Sequence, residues 1–174
     1  LLLATVNRLT ADPIATAAQA EKTAAIAAVL PPFDNRPNDD SVMIDGPRGP
    51  VEVYRARQGG AYVGCALETA SAKGYGGTIR LMLGIAPDNT VHGIAVLEQK
   101  ETPGLGARIT DDAFRAQFRG KPLDTPWAVA KDGGPIEAIT AATISSRAVT
   151  EAVAAGVALY RQHERAIRPD ADRE

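Results

Sequence analysis

The chain has 174 residues, and its 45% hydrophobic and 23% charged composition is that of a globular protein long enough to enclose one core. Lys and Arg number 19 against 21 Asp and Glu, a net charge of −2, which excludes a broad basic surface for nucleic acid, and aromatics at 5% are too sparse for a base-stacking platform. The one cysteine, Cys65, excludes an intrachain disulfide and reads as a small buried hydrophobe within a strand.

Leu1 to Val6 reads as the tail of a longer apolar segment, although a membrane span needs roughly 20 such residues. From Asp12 to Leu30 an Ala-rich amphipathic helix is predicted. Asp12-Pro13 serves as cap and first turn, Pro31-Pro32 as the stop, and Ile14, Ala18, Ala25, Ile26 and Val29 as the apolar positions. Phe33 to Ser41 is a polar connector. Val51 to Arg55 alternates as a half-buried strand does, and Ala61 to Ala70 is its neighbour across the Gln58-Gly59-Gly60 turn. Thr78 to Ile85 is a third strand, Pro87-Asp88-Asn89 a turn, and Val91 to Leu97 a fourth. Connections this short predict an antiparallel meander.

The last third changes character. Thr110-Asp111-Asp112 opens a short helix over Ala113 to Phe118, ended by Gly120 and Pro122. Trp127 to Ala130 reads as a strand and Asp132-Gly133-Gly134 as a turn. Thr143 to about Ala166 is a long helix with an apolar stripe of Ile144, Ala148, Val149, Ala152, Val153, Val157 and Tyr160, and with Arg147 and Glu151 paired four residues apart. The predicted class is α+β: an antiparallel sheet meander with an N-terminal helix and a long C-terminal helix.

Several chemistries find no support. His92 and His163 stand alone without ligand partners at useful spacing, and neither a GxxxxGK[ST] loop, a GxGxxG fingerprint nor a strong Ser-His-Asp signature is present. Three local features remain. Lys73-Gly74-Tyr75-Gly76-Gly77 is a Gly-rich hinge between two strands, where a ligand can approach the main chain, or simply a tight turn. Glu101-Thr102-Pro103-Gly104-Leu105-Gly106 offers a carboxylate, a hydroxyl and backbone amides on a proline-stiffened loop. Thr140-Ala141-Ala142-Thr143-Ile144-Ser145-Ser146-Arg147 places four hydroxyls and a guanidinium at a helix start. That suits a phosphate, but equally suits a helix capped by Thr140 or Thr143.

In this order the three features resemble the FMN-binding domain family of membrane redox complexes, over roughly residues 10 to 165. The G-subunit family of the Rnf electron-transport complexes is the nearer likeness, favoured by the intact Glu101-to-Gly106 run. The C-subunit family of the Na+-translocating NADH:quinone reductases is a related second. In these proteins a flavin transferase joins FMN to the threonine of an [S/T]-G-A-T-x-[S/T] motif. The resemblance therefore implies Thr143 as the covalent acceptor, with Thr140, Ala142 and Ser145 around it; Ala141 stands where Gly is usual, and an added methyl within helical geometry is the expected consequence. It further implies Glu101, Thr102, Gly104 and Leu105 against the flavin ring, with Lys73 and Tyr75 in the same pocket. Residues 1–9 would be the remnant of an N-terminal membrane anchor, 10–166 the FMN-binding domain and 167–174 a polar tail. The expected setting is the bacterial inner membrane, single-pass, with this domain on the periplasmic side among other subunits of a membrane redox complex and no nucleic acid. A second reading from the residues is a periplasmic binding or assembly module that holds a phosphate-bearing ligand reversibly.

Overall fold

The computed structural model of the chain describes residues 19–168. The predicted cap at Asp12-Pro13, the anchor remnant and most of the polar tail lie outside that range. An N-terminal helix, α1, covers 19–29. Five strands follow: β1 (Ser41–Gly46), β2 (Gly49–Gln58), β3 (Ala61–Gly74), β4 (Gly77–Ile85) and β5 (Val91–Glu98). They pair antiparallel in chain order, as the short connections require. Gly59 and Gly60, at φ 57° and 85°, make the two-residue turn between β2 and β3; positive φ at both positions gives the twist that flanking strands favour. A connection of short helical turns, including α2 (Asp112–Arg115), leads to the 25-residue α3 (Thr143–Ile167).

Each face of the sheet is covered. Odd-numbered residues of β3 and β4 (Cys65, Leu67, Ile79, Leu81, Leu83, Ile85) bury against α3 with Ala148, Val149, Ala152, Val153 and Tyr160. The connection adds Ile109, Phe114, Phe118 and Ile136 to that core. Even-numbered residues, among them Ala66 and Met82, form a smaller core with Tyr54 of β2, Ala95 of β5 and Ile26, Val29 and Leu30. This period-two division is what an antiparallel strand buried on both sides produces. Gly84 lets α1 lie on β4, since a Cβ there would stand 2.6 Å from the Val29 carbonyl carbon.

Four expectations need correction. β1 is an additional strand: at the sheet edge it spans six residues with Met43 exposed, so its alternation is too brief to read between Pro37 and Pro47. Trp127 to Ala130 is not a strand. Only Val129 forms a bridge, to Ile136, because Trp127 stacks on Phe118 instead (centroids 6.1 Å, 8° between planes) and Ala130–Asp132 turns away as a 3-10 helix. Ile144 does not join the apolar stripe of α3 but is 49% exposed. Arg147 and Glu151 do not pair with each other. Asp132 accepts two hydrogen bonds from Arg147, at 2.6 and 2.7 Å, while Glu151 takes Lys73 at 2.6 Å and Ser71 at 2.7 Å. Bidentate geometry and partners preset by the sheet outcompete a flexible pair on one helix face.

Candidate functional site

The fold brings the hinge between β3 and β4, the loop after β5 and the start of α3 together. Between them lies a cleft of about 550 Å³, within the size range of small-molecule sites. Gly74 pairs with Gly77, leaving Tyr75-Gly76 as a two-residue turn at the cleft mouth. After β5, Thr102-Pro103-Gly104-Leu105 is a type II turn. The Leu105 amide donates to the Thr102 carbonyl at 3.1 Å, and Gly104 takes the φ of +73° that the third position demands.

Glu101 sits beneath both loops, 5% exposed. Its carboxylate accepts from the Gly76 amide at 2.8 Å, the Tyr75 amide at 3.2 Å and the Ser145 hydroxyl. A Cβ on Gly106 would lie 2.8 Å from Glu101 Oε2, so only glycine closes this corner.

At the start of α3 the N-cap position is Ala142, and no side chain caps the helix. Neither Thr140 nor Thr143 therefore plays the cap role that a hydroxyl-rich helix start suggests. Ser145 turns to Glu101, and Ser146 holds the preceding turn by accepting from the Ile139 amide and donating to the Ala142 carbonyl, both at 3.0 Å. The amides of Thr143, Ile144 and Ser145 donate to no acceptor among the described residues, and the first turn carries no acidic side chain. That end of a helix attracts anions through its exposed N–H groups and its dipole. Ala141 is not helical: its φ is +63°, left-handed backbone that glycine adopts freely and alanine only with strain.

Of the residues singled out from sequence, Tyr75, Glu101, Thr102, Leu105, Ala142, Thr143 and Ser145 line the cleft. Thr140 and Gly104 are exposed beside it without lining it. Lys73 points along the outside of the hinge to Glu151, whose carboxyl is held below its ordinary value mainly by the Lys73 hydrogen bond and then by Ser71. Arg147 is committed to Asp132, whose carboxyl it holds down in the same way. Ile144 and Ser146 are participants that sequence reasoning missed. The first looked like one more stripe residue, and the second was one hydroxyl among four.

The cleft rim is apolar. Of the four exposed large hydrophobic residues described, Tyr75, Leu105 and Ile144 surround it, and only Met43 lies elsewhere. Exposed apolar groups around a polar floor suit a flat ring system with a charged tail. A second groove, of about 460 Å³, opens beside Pro47, Val51 and Leu159, but its Glu68 and Arg80 already pair at 2.6 Å. No group of three or more His, Cys, Asp or Glu among the described residues could hold a metal ion.

Residues 74–158, which include all three elements of the cleft, match the FMN-binding domain family. The G subunit of the ion-translocating oxidoreductase complex of Cereibacter sphaeroides is 37% identical over 172 residues, covering 94% of this chain and 78% of that protein. Its namesake from Pseudomonas aeruginosa is 33% identical over 183 residues, covering 97% and 86%. Among solved structures, NqrC of Shewanella oneidensis is similar in fold, with a TM-score of 0.59 at 21% identity over 78% of this chain and 75% of that one. The C subunit of the Na+-translocating NADH-quinone reductase from Parabacteroides distasonis gives 0.56 at 24% identity, over 66% and 63%.

Proposed function

This chain belongs to the family of ion-translocating oxidoreductase G subunits, and we propose that it carries FMN on Thr143 through a phosphoester and relays electrons within an Rnf-type membrane complex. The observation that carries the reading is the start of α3. Thr143 lines the cleft, its hydroxyl bonds no other described residue, and three neighbouring amides stand without acceptors.

The residues suit the group. The amides of Thr143, Ile144 and Ser145 would hold the phosphodiester at the positive end of the helix dipole. Tyr75, Leu105 and Ile144 would cover the ring and keep water from its faces, and Thr102 offers a hydroxyl at its edge. When bound, FMN supplies one- and two-electron redox chemistry, which the protein tunes through burial and hydrogen bonding. Attachment replaces the Thr143 O–H bond with an Oγ–P bond. A phosphomonoester is too poor a donor for that exchange, so a flavin transferase must draw on an anhydride, a flavin dinucleotide. The nucleoside monophosphate then leaves with the electron pair, and the proton passes to solvent.

None of the described helices is long and apolar enough to cross a membrane. The reading extends to a setting at the bacterial inner membrane, with single-pass anchoring by an N-terminal helix, this domain on the periplasmic side, and other redox subunits as electron donor and acceptor. Co-expression with a flavin transferase and export to the periplasm test the reading. The expected product is a band that fluoresces under ultraviolet light on a denaturing gel, with intact mass raised by FMN less water, and Thr143→Ala loses both. A wild-type protein of unmodified mass under those conditions sinks covalent attachment and leaves a reversible binding module.

A further inference from the structure

Among the described residues Glu101 is the only Asp, Glu, Lys or Arg that is buried. Burying a carboxylate costs a great deal unless its oxygens are satisfied, and here no cation does so: Glu101 makes no ion pair with another described residue. Its partners are dipoles, two amides of the hinge and one hydroxyl of α3, from positions 25, 26 and 44 residues away. Without the carboxylate, two hinge amides and the Ser145 hydroxyl would lose their acceptor, so Glu101 both satisfies these donors and fixes where they stand. It fastens two separate segments, the hinge and the first turn of α3, to one point.

We propose that Glu101 is a positioning residue for FMN attachment: it clamps the hinge to the first turn of α3 through Ser145, so that Thr143 and the open amides face a cleft of fixed width. The inference rests on the reading of Thr143 given above. It gives Glu101, already part of the cleft lining, a role exerted through the hinge and Ser145. Gly74 and Gly106 fit the assignment, since a Cβ on either would come within 2.8 Å of a Glu101 oxygen and push the clamp open.

The experiment measures FMN incorporation into the folded domain with purified flavin transferase and flavin dinucleotide, by intact mass against time, for wild type, Glu101→Gln and Ser145→Ala. Amide exchange at Tyr75 and Gly76 is followed in the same proteins. Loss of a hydrogen bond to a charged group predicts a maximal incorporation rate lower by about tenfold or more in both variants, with the KM for the dinucleotide unchanged. Ser145→Ala, although it lies on α3, should also speed exchange at Tyr75 and Gly76. A role in stability alone would lower the folded fraction without altering the rate per folded molecule. Wild-type rates in a folded Ser145→Ala protein overturn the proposal, and that variant decides the matter if Glu101→Gln fails to fold. If wild type takes no FMN covalently, the Thr143 reading fails separately. The clamp is then judged by titration with free FMN: weaker binding by Ser145→Ala upholds it and equal binding overturns it.

Discussion

At its C-terminal end α3 is sealed by tertiary contacts. Tyr160 donates to Asn89 at 3.2 Å, Arg168 donates to the Pro87 carbonyl at 2.9 Å, and the Arg168 guanidinium lies 5.2 Å from the centre of the Tyr62 ring. At its N-terminal end the same helix has no cap, three amides without acceptors and an exposed Ile144. Both ends carry the same dipole, but only one is neutralised: Arg165 and Arg168 meet the negative end, and no acidic side chain meets the positive one. The contrast separates stability from binding along one element. The sealed end and the helix body hold the fold, and the open end is where we propose that the phosphate of FMN sits.

That separation can be broken by experiment. The largest effect is expected at the sealed end, where Tyr160 is fully buried. Tyr160→Ala should cost about 3–5 kcal/mol in urea unfolding, while the surviving folded protein incorporates FMN at the wild-type rate. A fall in incorporation per folded molecule would show that the two ends are coupled.

A second effect, also from the core, appears in alkali. Burial pushes the Cys65 thiol up to about 12 from an ordinary 9.0, and burial raises the Tyr62 and Tyr160 phenols as well. Each group is protonated in the folded protein where the unfolded chain has begun to lose its proton. Stability from this source is complete below pH 9 and is lost as pH rises toward 12. Unfolding free energies measured from pH 7 upward should therefore hold level and then decline. Cys65→Ala should delay the onset of that decline, and an unchanged onset would remove the thiol as its cause.

The smallest effect is expected at the open end. Ala141 sits at φ +63°, and Ala141→Gly should raise stability by about 1 kcal/mol or less without slowing FMN incorporation. A loss of stability on that substitution would mean that the alanine methyl makes a contact worth more than the strain.

Regular elements with period and punctuation were legible before folding. The glycines at 59 and 60 marked a hairpin, alternation marked β2, and the run from Thr143 marked a helix that ends at Ile167. The same rules misread what depends on neighbours. Ser41–Gly46 is a strand because Gly49 to Tyr54 lies beside it, and Trp127 leaves the strand pattern because Phe118 offers a stacked face. Lys73, a pocket candidate by the family resemblance, is held outside the cleft by Glu151, which is remote in sequence.

Local patterns of spacing and residue type were enough for the α+β meander, for the three glycine- and hydroxyl-rich segments and for the family they resemble. That these segments meet, and how, came from packing alone. Ser145 bonds Glu101 across 44 positions, Ile144 turns outward to the cleft rim, and Ala141 carries left-handed backbone in the turn before α3. A hydroxyl or an amide has many possible partners in the chain. Which one it takes depends on what the folded protein has brought within about 3 Å of it.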